Sequence, residues 1–267
     1  MTTPNPTPNP TPSAKPAKAS TSAKPTKGAK KPRTKAPKNT DAPQEAPRPV
    51  HFYVLLDRSG SMESMKADVI GGFNDFLNQQ LQGAGKARMT LVQFDTQDPH
   101  DTIVDALRLE HVAPLTAQRF QPRGGTPLLD ATAMLIERVF GRQAKRKALG
   151  RTEEEVVFIT ITDGEENQSR RTTLEQVRAL IGAGQEAGWN FVYLGAGLDA
   201  YGDAQRLGYS VDSVQAFMAD GVGAQEMWHS VSRASSQLRS DIAMDRSFSK
   251  ADYFRGLKEA EARRAQQ

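Results

Sequence analysis

The six residues Val156-Val157-Phe158-Ile159-Thr160-Ile161 constrain this chain more than any other stretch. A run so rich in β-branched and aromatic side chains has no polar face to offer water. It must be a strand covered on both sides, as in the middle of a parallel sheet. Further apolar runs lie at Val50 to Leu56, Arg88 to Phe94, Phe191 to Leu194 and Val214 to Met218. Between them, apolar residues recur at helical spacing. Met65, Val69, Phe73, Phe76 and Leu77 make the first such face, ended by Gly83 to Gly85. Leu128, Leu129, Leu135, Ile136 and Val139 make the second, and Leu174, Val177, Leu180 and Ile181 the third. A short helix is expected over Asp199 to Leu207 and a closing one from about Gly223 to Arg239. Arg142 to Arg151 reads as a basic connection. Thr102 to Leu109 alternates weakly and follows the second strand after a turn too short for a parallel crossover, so it is expected as an antiparallel edge strand. The expected fold is α/β and doubly wound, a mostly parallel sheet with one antiparallel edge and helices on both faces.

Composition sets the boundaries. Residues 1–50 hold twelve of the sixteen prolines and ten Lys/Arg against two acids, a local charge of +8. The other residues carry 25 Lys/Arg against 29 Asp/Glu, a net −4. Residues 1–48 are therefore expected to be a disordered, basic Pro/Lys/Thr/Ala-rich tail, since alternate prolines forbid helix and ladder and there is little apolar surface to bury. Residues 49–239 are expected to form the folded domain, and residues 240–267 a charged extension compatible with helix, whose sparse apolar positions are Phe248, Tyr253, Phe254 and Leu257. The absence of cysteine removes disulfides and thiolate metal sites. The four histidines are scattered without metal-ligand spacing. No apolar run reaches the length of a membrane span. With no signal-peptide h-region, the expected location is cytoplasmic.

Three loops at expected strand ends carry the chemistry. Asp57-Arg58-Ser59-Gly60-Ser61-Met62 follows the first strand, with a carboxylate and two hydroxyls spaced by two. Such hard oxygens suit Mg²⁺ or Mn²⁺, although Asp and Ser also cap helices and make turns. Arg123-Gly124-Gly125-Thr126-Pro127-Leu128 offers Thr126, for which a helix N-cap is an adequate explanation by itself. Thr162-Asp163-Gly164-Glu165-Glu166-Asn167 follows the most buried strand. Together the loops supply Asp57, Ser59, Ser61, Thr126 and Asp163: two carboxylates and three hydroxyls on neighbouring strand ends, where open α/β sheets bind ligands.

The D-x-S-x-S, Gly-Gly-Thr and Thr-Asp-Gly loops resemble the metal-ion-dependent adhesion site of von Willebrand factor A domains. The resemblance covers roughly residues 50–239, and the chain is in particular similar to the small bacterial and phage proteins of that family. It implies that Ser59, Ser61 and Thr126 are direct ligands of Mg²⁺ or Mn²⁺. Asp57 and Asp163 would bind the ion directly or through water, and Gly60, Gly124, Gly125 and Gly164 would shape the loops. It also implies a partner protein that supplies a carboxylate to the ion. Glu165 and Glu166 are not general family ligands; they are expected to be solvated, or else to modulate metal affinity.

Other signals weigh less. Gly195-Ala196-Gly197 lacks the rest of a dinucleotide-binding fingerprint and reads as a tight turn. Asp95 and Asp130 read as structural caps, and Trp228 and His229 as core and surface. The expected function is a non-enzymatic, metal-dependent protein-interaction module. One alternative is a nucleic-acid-associated scaffold acting through the basic tail. Another is a metal-dependent phosphoester hydrolase, which lacks a histidine or lysine near the motifs to serve as general base.

Overall fold

In the computed structural model the chain divides into two units, Met1–Gln44 and Glu45–Gln267. The structure describes residues 48–267 except 165, 167, 197, 198, 218–220, 247–254, 256, 257, 260, 261 and 264–267. The expected tail therefore lies outside the described residues, apart from Arg48, as do the four apolar positions of the extension, Glu165 and Met218.

Six strands form one sheet in the order β3-β2-β1-β4-β5-β6. They are β1 (Val50–Asp57), β2 (Ala87–Phe94), β3 (Asp101–Arg108), β4 (Glu155–Thr162), β5 (Asn190–Gly195) and β6 (Val214–Ala216). All neighbours run parallel except β2 and β3, as the short connection required. Helices α1 (Lys66–Leu81) and α5 (Gly221–Ala243) cover one face. Helices α2 (Leu128–Ala148), α3 (Leu174–Glu186) and α4 (Ala200–Leu207) cover the other.

Strand alternation divides the core in two. Phe52, Val54 and Leu56 of β1 point with Val157, Ile159 and Ile161 of β4 toward Phe73, Phe76, Trp228 and Val231. Tyr53 and Leu55 point with Val156 and Phe158 toward Leu135, Ile136, Val139 and Ile181. Every residue of β1 is buried, so both faces of this strand exclude water. Trp228 stacks edge-on against Phe73 in the core, and His229 is exposed, as expected.

One expected boundary was wrong. Arg142 to Arg151 is not a connection, because α2 continues to Ala148. Cations in the last turn of a helix sit against its negative end, so a basic run there extends the helix rather than breaking it. Arg142 and Arg146, one turn apart, also fold onto buried Glu154, at 2.8 and 3.1 Å. The closing helix likewise runs past Arg239 to Ala243. Of residues 244–267, the described residues 255, 258, 259, 262 and 263 are helical.

No helix among the described residues is long and apolar enough to cross a membrane.

Candidate functional site

The strand order reverses between β1 and β4: successive strands after β1 build outward on one side, and those after β4 on the other. The loops leaving these two strands diverge, which opens a crevice between them. Asp57 ends β1, and Asp163 follows the last residue of β4.

Asp57 is fully buried, and both its carboxylate oxygens are engaged. The Ser59 N–H donates to Oδ1 at 2.7 Å and the Thr162 hydroxyl to Oδ2 at 2.6 Å. The Ser59 and Ser61 hydroxyls lie 3.1 Å apart, and Ser61 donates to Asp163 Oδ1 at 2.8 Å. Thr126 joins them from the second loop. A Cβ built on Gly164 would stand 3.4 Å from the Thr126 hydroxyl and 3.9 Å from that of Ser61, so the absence of a side chain at Gly164 leaves the hydroxyls an open approach. The structure thus brings all five oxygen-bearing residues into one crevice. Asp57, Ser59 and Thr126 form a buried floor, Asp163 is half-buried, and Ser61 stands exposed at the rim.

Burial pushes the Asp57 carboxyl up to about 7, against the opposing hydrogen bonds from Thr162 and Ser59, and the charge of Asp163 adds to the rise. Asp163 is raised by burial as well, with the Ser61 hydrogen bond opposing it. Arg58 is next in the chain but turns away. Its guanidinium donates to Asp95 at 2.8 Å, Gln93 at 3.1 Å and Asp101 at 2.7 Å.

Capping does not account for the hydroxyls in the way the sequence allowed. Ser59 precedes a short 3-10 helix over Gly60–Met65, yet its side chain makes no capping hydrogen bond. The N-cap position of α2 falls on Pro127 rather than Thr126. The first N–H groups of α2 are met from elsewhere: Leu129 N donates to Glu166 at 2.8 Å and Asp130 N to the Ser169 hydroxyl at 3.0 Å.

Glu166 is therefore not the solvated side chain expected. It is half-buried and also accepts from Gln168 N, Ser169 N and the Ser169 hydroxyl. Asp130 returns the contact by accepting from Arg170, Arg171 and Thr172 N at 2.9, 3.0 and 2.8 Å. Two acids thus lace the third loop to the start of α2, each taking up N–H groups of the other's segment. Asp130 is a structural cap, as expected, although the segment it caps is forty residues away.

Asp95 does more than cap its own turn. It accepts from Gln97 and Asp98 N and binds the guanidinia of both Arg58 and Arg123. This joins the first loop to the second, which the backbone also ties: Arg123 N to Arg58 O at 2.8 Å and Gly60 N to Gly124 O at 3.0 Å. Gly124 has φ +66°, and a Cβ there would come within 2.3 Å of the Thr96 hydroxyl, so only glycine fits. Gly125 N donates to that same hydroxyl at 3.2 Å.

The roles of Thr162, Arg58, Asp95, Thr96 and Glu166 were not read from the sequence. The signal available for the first two was adjacency to the motif acids. For Asp95 it was the place at the end of the second strand, from which it could neighbour the loops, and for Glu166 the place in the acidic third loop; for Thr96 there was none.

Among the described residues no three His, Cys, Asp or Glu side chains gather into a metal-binding group. The histidines lie elsewhere: His51 on Glu154, His100 beside Arg138, His111 beside Arg108, and His229 exposed on α5. Any cation in the crevice would depend on the hydroxyls together with Asp57 and Asp163.

No family model matches the sequence, and no curated protein does. Solved structures do match. A von Willebrand factor type A protein from Catenulispora acidiphila superposes with a TM-score of 0.51 at 14% identity, over 71% of this chain and 43% of that one. The pilus adhesin SpaC from Lactobacillus rhamnosus GG, in its open conformation, gives 0.50 at 13% identity, over 74% and 30%. This chain spans less than half the length of either. At such identity the likeness speaks to architecture, and the six-stranded sheet with its single antiparallel edge agrees with it. The chain has the fold of a von Willebrand factor A domain.

Proposed function

We propose that the crevice binds Mg²⁺ or Mn²⁺ through Asp57, Ser59, Ser61, Thr126 and Asp163, and that the ion in turn takes a carboxylate from a partner protein. The observation that carries this is the convergence of three hydroxyls and two carboxylates on one partly open crevice, from the loops that end β1 and β4 and, contrary to the expected third strand end, from the segment that enters α2 well after β3 has ended at Arg108. The donors fit a hard divalent cation, which prefers oxygen and tolerates neutral hydroxyls. The two carboxyls held up by burial, with the neighbouring arginine turned away, fit it as well: a cation is the natural counter-charge. Two carboxylates at most balance a divalent ion, and the hydroxyls add no charge. A bound ion would therefore offer an electrophilic position to an acidic side chain. The proposed role is binding rather than turnover; among the described residues no imidazole is hydrogen-bonded to Ser59 or Ser61.

Calorimetric titration with Mn²⁺ and Mg²⁺ tests the metal. One equivalent should bind the wild type, Asp57→Ala should abolish binding and Ser59→Ala should weaken it. Wild type that takes up neither ion, or Asp57→Ala that binds as well, would end the reading. Capture of a partner in Mg²⁺ but not in EDTA, lost in Asp57→Ala, tests the second half.

The +8 charge of residues 1–50 supports a separate proposal, that the tail binds nucleic acid. Its affinity should fall steeply with salt and vanish when residues 1–48 are deleted.

A further inference from the structure

At the opposite end of the sheet from these loops lies a cavity of about 410 Å³. It is walled by Pro49 before β1, the C-terminal end of α1, the start of β2, the end of β3, and Arg146 and Arg239 from α2 and α5. Five cations line it, Lys86, Arg88, Arg108, Arg146 and Arg239, against one lining acid, Glu110. This concentration sits on a domain whose residues after position 50 sum to −4, so the basic charge is segregated to one end.

Arg239 is the least compensated of the five. It is only 4% exposed, and its guanidinium donates to the carbonyl oxygens of Gln80, Gly83 and Gly85, which follow from the end of α1. Among the described residues it makes no ion pair with a carboxylate, and its buried Nε has no hydrogen-bond partner. Burial pulls its pKa below the ordinary arginine value, and no acid acts against that. A helix C-terminus supplies roughly half a negative charge, so capping α1 leaves about half of the guanidinium charge unbalanced. By covering those carbonyls, Arg239 also masks partial negative charge that would repel an anion.

The neighbouring charges are also in surplus. Arg142, Arg146 and Arg88 lie 2.8, 3.1 and 3.8 Å from the same Glu154 carboxylate. Arg108 pairs with Glu110 at 3.2 Å. Lys86 is exposed.

We propose that this cavity is a binding site for a small oligophosphate anion, either a nucleoside triphosphate or inorganic polyphosphate. The surplus exceeds one charge, more than a single carboxylate can discharge. The exposed Lys86 and Arg108 can turn toward phosphate oxygens, which an arginine fork matches in pairs, while Arg88, Arg146 and Arg239, bonded to protein oxygens, add positive field. The volume lies in the range of small-molecule sites. The proposal is independent of the metal crevice, which lies at the other end of the strands.

The test is titration of the full chain with tripolyphosphate and with ATP in EDTA, so that no metal takes part. Lys86→Glu with Arg108→Glu alters two exposed side chains and should leave the fold intact by circular dichroism. Arg171→Glu with Arg178→Glu, two exposed residues before and within α3, reverses the same charge elsewhere. The expected result is one saturable site in the wild type, weakened about tenfold or more by the first pair and little changed by the second. Tighter binding of ATP than tripolyphosphate would identify a nucleotide site; equal binding would assign recognition to the phosphates alone. No saturable binding, or equal losses in the two double variants, would overturn the proposal and leave only diffuse attraction to the charged chain.

Discussion

The Thr162 hydroxyl donates to Asp57 Oδ2 and accepts from Gly164 N at 3.2 Å, so one side chain orients the β1 carboxylate and the turn after β4 together. Thr162→Val keeps the shape and removes the donor. It should weaken Mn²⁺ binding by about fivefold, the worth of roughly one hydrogen bond, with little change in the circular dichroism spectrum. Unaltered affinity would show that the Ser59 N–H suffices to hold the carboxylate. Gly124→Ala forces a Cβ into a left-handed conformation and against the Thr96 hydroxyl. It should cost about 1–2 kcal/mol or more in urea denaturation. A different trio shows how residue identity can mislead. His51 lies 3.0 Å from Glu154 and 2.9 Å from the Thr90 hydroxyl, in the pattern of a nucleophile, base and orienting acid. All three are buried. The Thr90 hydroxyl meanwhile accepts from Ala106 N, where β3 slips its register, so the trio fastens the edge strand.

At the scale of elements, each catalytic-looking loop is held by an acid from another segment. Asp95, at the end of β2, gathers Arg58 and Arg123, and its side chain is 0% exposed. Asp95→Ala leaves the buried Arg58 short of a counter-charge, so a loss of about 3–5 kcal/mol in urea denaturation is expected. A loss under 1 kcal/mol would mean that Asp101 and Gln93 take over the guanidinium. The helices and strands themselves were legible because their periodicities are local properties of the chain. The end of α2 was not: its basic run has no apolar period to read, and what keeps it helical is the negative end of the helix together with Glu154, reached across the turn. The alternative of a Thr126 N-cap falls away for the same reason, since the groups that meet the first turn of α2 come from the loop after β4.

For the molecule as a whole, the five oxygen-bearing residues of the crevice gather at the carboxyl ends of β1 and β4, and the arginine-rich cavity lies at the opposite end. The latter end contributes to the loss of stability in acid. Its hydrogen bonds and arginine neighbours hold the Glu154 carboxyl down to about 2 despite burial, and burial lowers His51. Both groups bind protons more readily unfolded than folded. His51 therefore withdraws stability as pH falls below its unfolded value near 6.5. Glu154 contributes fully above its unfolded value near 4.5 and is lost as pH drops toward 2. Its share is on the order of 3 kcal/mol. Wild type should thus lose stability more steeply than Glu154→Gln between pH 4.5 and 2 in urea titrations; parallel curves would remove Glu154 from the account. By itself the sequence determined six strands, five α-helices and the antiparallel edge, though not the three 3-10 helices found among the described residues, and it singled out the five oxygen-bearing residues, because runs, periods and motif spacing are written along the chain. Tertiary structure alone decided that the segment entering α2 is tied to the loop after β1 by backbone hydrogen bonds and by Asp95. It also decided that Arg58 turns from the crevice and that Glu166 and Asp130 brace it. Those outcomes depend on which segments meet in space, and no local pattern encodes such meetings.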